Sequence, residues 1–224
     1  MCVYKMKEKN NIVIIDYQLG NLFSVKHACL NVGLNPVITS DRDEINDAKI
    51  IILPGVGAFG DAMKNLQKLD LIYPIKDKIQ SGTPFFGICL GLQLLFEESE
   101  EHGKNKGLGI FSGVIKKFES SFKDKKVKVP HVGWNTIYSK NPHDWVNTPL
   151  QDVNENAFMY FVHSYYALPD NESDILSFTN YEDYEFCSSI KKNNVYAFQF
   201  HPEKSGKCGL NIYENLKLIY YDTK

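Results

Sequence analysis

Residues 85–101 read FFGICLGLQLLFEESEE, and the corner at Cys89 decides how the chain folds. An apolar, strand-like run reaches Gly87, a cysteine follows, a second glycine closes the motif, and a helical pattern begins. Gly87-Ile88-Cys89-Leu90-Gly91 has the G-x-nucleophile-x-G form of a nucleophile elbow, with cysteine in place of serine. In such an elbow a buried strand turns abruptly into a helix and exposes its apex residue. The backbone there is crowded, so glycine is needed two positions to either side. The helix N-terminus favours a thiolate through free N–H groups and the helix dipole, and the Leu90 N–H points where an oxyanion develops. The alternative is a buried structural thiol at a glycine-flanked strand end, and the pentapeptide alone does not choose between them.

Upstream of the corner the chain alternates strand, loop and helix. NIVIIDY (residues 11–17) is a β-branched run of the kind buried in a parallel sheet. A helical pattern spans Asn21 to Val32 and is ended by Gly33. NPVITS (35–40) reads as a second strand. Lys49 to Leu53 reads as a third, breaking into the loop PGVGAFG. Helix is expected from Ala62 to Gln80 with an interruption at Pro74, and TPFFGI leads to Cys89. This alternation predicts an α/β fold, a doubly wound, mostly parallel central sheet with helices on both faces. Such sheets place their sites at the carboxyl ends of the strands. After Gly103 the strands look short and antiparallel: VIKKF, HVGWNTIY, AFMYFVHSYYAL and EFCSSIKKNNVYAFQF, the last a hairpin around Asn193-Asn194. A final helix is expected from Gly209 to Ile219. No linker, repeat or low-complexity tract interrupts the chain. Residues 1–11 are expected to be a loose N-terminal extension and 12–224 a single domain.

A catalytic thiol needs a base, and the base needs an orienting group. The histidines are His27, His102, His131, His143, His163 and His201. His27 falls on a helix surface, and His102 and His143 lie in polar loops. His201 ends an apolar strand and is followed by Pro202-Glu203. In an extended segment residues two apart project to one side, so His201 and Glu203 can face the same site. HPE by itself describes a strand-end turn equally well. Joined to the elbow, it supplies the missing half of a Cys-His-Glu triad.

The totals set outer bounds. The chain has 224 residues, 43% hydrophobic and 23% charged. A domain of that size buries roughly 70% of its unfolded surface and needs no staple. A formal charge of -2 gives no reason to expect nucleic acid or an anionic membrane as partner. No apolar run approaches the ~20 residues of a membrane span. The N-terminus lacks the apolar stretch of a secretory signal. Five widely spaced cysteines, an odd number without a CxxC pair, point to reduced thiols and a cytoplasmic chain. No His/Cys/Asp cluster has metal-ligand spacing, and PGVGAFG is neither a GxGxxG nor a P-loop. No metal or other cofactor is expected.

GICLGLQLLFEESEE, HPE and PGVGAF together resemble the class I, triad-type glutamine amidotransferases. DYQLGNLFSV, LPGVGAFGDAM, KVPHVGWN, YFVHSYY and FQFHPEKSG are similar to the branch of that family that supplies ammonia for histidine biosynthesis, and the similarity runs from about Ile12 to the C-terminal helix. The resemblance implies a flavodoxin-like core with an antiparallel C-terminal extension. It implies that Cys89 forms a γ-glutamyl thioester from L-glutamine, that His201 transfers the proton, and that Glu203 fixes the imidazolium. Leu90 and the loop at Gly55 and Val56 would hold the oxyanion. Gln93, Glu101, Ser164 and Tyr165 match substrate-binding positions. Glu101 reads equally well as part of an exposed acidic helix end, EESEE. Asn21, Trp134, Tyr160 and Lys204 match positions that meet a (β/α)₈ cyclase subunit in a heterodimer, although Trp134 fits a core equally. Two features depart from the family: the extension before Ile12, and Gln18, where members often carry glycine. Three other readings stay open: a paralogous glutaminase serving another synthase, such as one aminating a surface sugar; a free-standing γ-glutamyl cysteine hydrolase; and a non-catalytic scaffold.

Overall fold

The run Ile-Val-Ile-Ile forms β1 (Ile12–Ile15), buried along its whole length. In this computed structural model the described residues are 12–122, 125–141 and 143–222. The N-terminal extension expected over residues 1–11, with Cys2, lies outside them. After β1 come α1 (Leu22–Asn31), β2 (Val37–Thr39), α2 (Arg42–Asn46), β3 (Ile50–Gly55), α3 (Phe59–Lys68) and α4 (Ile72–Gln80). Then follow β4 (Phe85–Cys89), α5 (Leu90–Leu94), β5 (Phe96–Ser99), β6 (Asn105–Lys106), β7 (Phe111–Lys117), β8 (Ser121–Phe122) and β9 (Lys125–Lys126). The chain continues through β10 (His131–Ile137), β11 (Ala157–His163), β12 (Tyr165–Pro169), β13 (Ile175–Tyr181), β14 (Tyr184–Lys192), β15 (Val195–Phe198) and α6 (Gly206–Asp222).

The parallel half of the main sheet runs β2-β1-β3-β4-β15, the 2-1-3-4-5 order of flavodoxin-like folds. An antiparallel extension, β14-β12-β7, continues it. Beyond β7 lie β5, parallel to it, and β6; β13 pairs with β14 outside this path. Alternation along the strands divides the core in two. Ile12, Ile14, Ile50, Ile52 and Phe86 face α1 and α6, whereas Val13, Ile15, Ile51, Leu53 and Phe85 face α3, α4 and α5. A layer of helices on each face is what continuous β-branched strands require.

Four expectations need correction. The helix expected over 62–80 is two helices, broken at Asp70, whose φ is 53°. Pro74 does not break anything, because it sits in the first turn of α4, where backbone N–H groups have no helical partner. The helical pattern after Cys89 lasts only through Leu94, and Phe96–Ser99 is a strand that pairs with β7. β15 joins the parallel half although it follows Gly103; all four of its residues are buried, like those of β1. Five elements, α2, β6, β8, β9 and β13, have no counterpart in the sequence reading; α2 is capped by the Asp41 carboxylate, which accepts from the Asp43 and Glu44 N–H groups.

Candidate active site

β4 ends on Cys89, whose backbone has φ 54° and ψ -107° and whose next residue begins α5. That conformation is costly for a residue with a Cβ and persists only where packing fixes it. The neighbours supply the fixing. A Cβ on Gly91 would stand 1.8 Å from the Leu53 carbonyl oxygen, and one on Gly87 2.9 Å from the Gly91 carbonyl. α5 is therefore pressed against β3 and β4 more closely than any side chain allows. The corner presents Cys89, 7% exposed, to a cavity of about 380 Å³.

His201 follows β15 and is 2% exposed. Its Nδ1–H donates to Glu203 Oε1 at 2.8 Å. The sequence reading expected this pairing from an extended segment; instead Pro202–Lys204 is a single 3-10 turn, which swings Glu203 back toward the ring. The turn is tied to β11: His201 N–H donates to the Tyr160 carbonyl, Tyr160 N–H to Ser205 Oγ, and Ser205 Oγ–H to the His201 carbonyl. Burial acts to lower the His201 pKa, but the Cys89 sulfur and the Glu203 carboxylate outweigh it and raise the ring to about 10. Nε2 meets no partner in strict hydrogen-bond geometry, yet the Cys89 sulfur is the largest influence raising the ring, ahead of the Glu203 carboxylate. At neutral pH the imidazole therefore holds the proton.

Around this pair stand the other predicted residues. Val56, Leu90, Gln93, Glu101, Ser164 and Tyr165 line the same cavity as Cys89 and His201. Gly55 lies opposite Cys89 in the β3–β4 register. Its lack of a side chain has a cause the sequence does not suggest: a Cβ would fall 2.1 Å from the buried Tyr17 hydroxyl. Glu101 sits in a turn beyond β5, and its Oε2 accepts from Phe59 N–H at 2.6 Å, at the start of α3. It is therefore not part of an acidic helix end. The four residues read as interface positions lie outside the cavity lining. Trp134 is 55% exposed, stacks edge-on against Tyr160 at 6.0 Å, and Lys204 Nζ lies 5.7 Å from the Tyr160 ring centre. Asn21 precedes α1, a helix that packs on the Pro202–Lys204 turn. Trp134 is thus not a core residue.

Gln199 escaped the sequence reading, and His131 and His163 were named there among the histidines without a role. Gln199, fully buried, donates to Cys89 Sγ at 3.8 Å and accepts from Gln93 Nε2 at 3.1 Å. His131 and His163 form a buried pair. His163 Nδ1–H donates to the Tyr165 carbonyl at 2.8 Å, which leaves Nε2 to accept from His131 Nδ1–H at 3.0 Å. Burial pushes their pKa values down to about 4 for His131 and about 3 for His163. Both are neutral spacers rather than bases. Burial raises the thiol of Cys29 to about 12 and pushes Cys187 up as well, so neither is a competing nucleophile. A larger depression of about 930 Å³ lies between α2 and α4, lined by residues such as Arg42, Asp70 and Asp77. It brings no cysteine beside a histidine, as the smaller cavity does.

Comparison with known proteins bears on the family and the fold. The family profile described as glutamine amidotransferase class-I matches residues 13–217. The imidazole glycerol phosphate synthase subunit HisH of Aquifex aeolicus is 50% identical, over 92% of this chain and 95% of that protein. The subunit of the same name from Sulfurimonas denitrificans is 44% identical, over 91% and 96%. Among solved structures, PurLQS from Thermotoga maritima superposes with a TM-score of 0.70 at 17% identity, covering 92% of this chain and 97% of that one.

Proposed function

The chain belongs to the class-I glutamine amidotransferase family, and from that premise we propose that it is the glutaminase subunit of an imidazole glycerol phosphate synthase. In this reading residues 12–224 act as one cytoplasmic catalytic unit that hydrolyses L-glutamine to glutamate and ammonia. Cys89 Sγ attacks the side-chain carbonyl carbon of glutamine. The developing oxyanion is held by the Leu90 N–H and a backbone N–H of the Gly55-Val56 loop. His201, carrying the proton from sulfur, delivers it to the departing ammonia and leaves a γ-glutamyl thioester. The same ring then draws a proton from water, which cleaves the thioester and frees the thiol. Glu203 keeps the ring oriented and offsets its charge. Gln93, Glu101, Ser164 and Tyr165 hold the amino-acid end of the substrate. The observation that carries the reading is the meeting, in one buried cavity, of a cysteine in a strained elbow with a histidine already paired to a carboxylate.

Ammonia released to neutral water becomes ammonium, which is no nucleophile, so a glutaminase that feeds a synthesis needs a sheltered exit. We place a (β/α)₈ cyclase subunit over Asn21, Trp134, Tyr160 and Lys204. The test is ammonia production from glutamine by the chain alone, by the chain with the cyclase and its ligand, and by Cys89→Ala in the complex. The expected result is slow turnover alone, a sharp rise in the complex and none for Cys89→Ala. Equal turnover with and without the cyclase would remove the partner, and an active Cys89→Ala would remove the thioester.

A further inference from the structure

Gln199 occupies a place where an apolar side chain is the default. It follows β15 directly, lies between the buried Phe198 and Phe200, and is 0% exposed. Its backbone N–H donates to the Ser188 carbonyl at 2.9 Å, so the main chain is fixed independently of the side chain. A buried amide is costly unless both its ends are used. Both are: Nε2 donates to Cys89 Sγ at 3.8 Å, and Oε1 accepts from Gln93 Nε2 at 3.1 Å. Gln93 Nε2 also donates to the Tyr165 carbonyl at 3.1 Å. With Nε2 committed twice, the end of Gln93 that remains for a ligand is Oε1.

We infer that Gln199 is a positioning residue for the thioester chemistry, its single amide holding the nucleophilic sulfur of Cys89 and the side chain of Gln93 in one fixed relation. The inference rests on the glutaminase reading and deepens it. An N–H aimed at sulfur favours the sulfur when it carries negative charge, so Gln199 supports the attacking form from the side of the sheet, apart from His201. The acceptor end fixes which way the Gln93 amide faces, and so what it offers to substrate. One side chain thereby sets both the reactivity of the thiol and the register of the substrate against it. The weak geometry of an N–H···S contact puts the expected effects in the range of an ordinary neutral hydrogen bond.

The test uses two variants. Gln199→Met keeps the length and unbranched shape but removes donor and acceptor. Gln199→Glu removes the donor to sulfur and keeps an acceptor for Gln93. Two readouts are taken: the pH dependence of Cys89 alkylation by iodoacetamide in the isolated chain, and steady-state glutaminase kinetics in the complex with the cyclase. Both variants are expected to shift the alkylation midpoint up by about half to one pH unit and to lower kcat by about threefold to tenfold. Gln199→Met is also expected to raise KM for glutamine by about threefold to tenfold, while Gln199→Glu leaves KM near that of the parent. A folded Gln199→Met with the parent alkylation profile, kcat and KM overturns the inference. Should Gln199→Met fail to fold, a parent-like alkylation midpoint in Gln199→Glu overturns it equally. An active Cys89→Ala, by contrast, overturns the glutaminase reading itself, so the two failures are told apart.

Discussion

Gln18 holds a backbone conformation suited to glycine, with φ 70°, at the position where the family often has glycine. Its N–H donates to Asp16 Oδ1 at 2.9 Å, a bond that needs no particular side chain at 18. The left-handed region costs a residue with a Cβ roughly 1 kcal/mol or more, and glycine returns part of that through the entropy of the unfolded chain. Gln18→Gly is therefore expected to stabilise the protein by about 0.5 kcal/mol, seen as a higher Tm in calorimetry; a lower Tm would mean the glutamine side chain holds the turn. A second prediction concerns His201, raised to about 10 by Cys89 and Glu203 against the opposing effect of burial. In Cys89→Ala the sulfur's share is gone, so the titration midpoint of the ring, followed by NMR of its carbon-bound protons, should fall. An unchanged midpoint would assign the whole effect to Glu203. Cys89, His201 and Glu203 were legible in the sequence because each carries a local signal: a glycine-flanked corner, and an acid two residues after a strand-end histidine. Gln199 was not, since its partners lie 106 and 110 residues away and nothing near it in the chain marks it.

Among the elements, legibility followed how locally each is determined. β1, β3 and β4 announce themselves as apolar runs buried on both faces. β5 does not, because FEES continues the helical pattern of LGLQL and becomes a strand only by pairing with β7, a partner the local pattern cannot supply. The β10–β11 pair carries a consequence that pattern reading also missed. His131 and His163 face each other across it and stay neutral down to about pH 4 and about pH 3. The groups facing them are the Asn135 amide, the Tyr165 carbonyl and the charge of His201. In the unfolded chain a histidine takes up its proton near pH 6.5. Below that pH the unfolded state binds more protons than the folded one, so stability falls with acid. The contribution of the pair is complete above about pH 6.5 and is lost as the pH drops toward 4 and 3. Urea unfolding at pH 7 and pH 5 should show this loss, and His131→Gln, which cannot titrate, should reduce it by about 2 kcal/mol. An identical loss in that variant would place the acid sensitivity elsewhere.

For the whole molecule, the outward side of the β10–β11 pair is the surface that asks for a companion. Val132, Trp134, Phe158 and Val162 are 52%, 55%, 58% and 36% exposed, and the register sets Val132 against Val162 and Trp134 against Tyr160. A contiguous apolar patch of this kind marks an interaction site, and a tryptophan near its middle is a typical anchor. Trp134→Ala is expected to weaken binding of the cyclase by about 2 kcal/mol, roughly thirtyfold in Kd, measured by titration calorimetry; an unchanged Kd would move the anchor elsewhere on the face. The sequence left Trp134 between core and interface because a hairpin that packs on one side only is not visible as a pattern. The hydrogen-bonded loop from His201 through Tyr160 to Ser205 and back joins this outer surface directly to the buried imidazole of His201. A miniprotein made to grip Tyr160 from outside would thus pull on the backbone that carries His201.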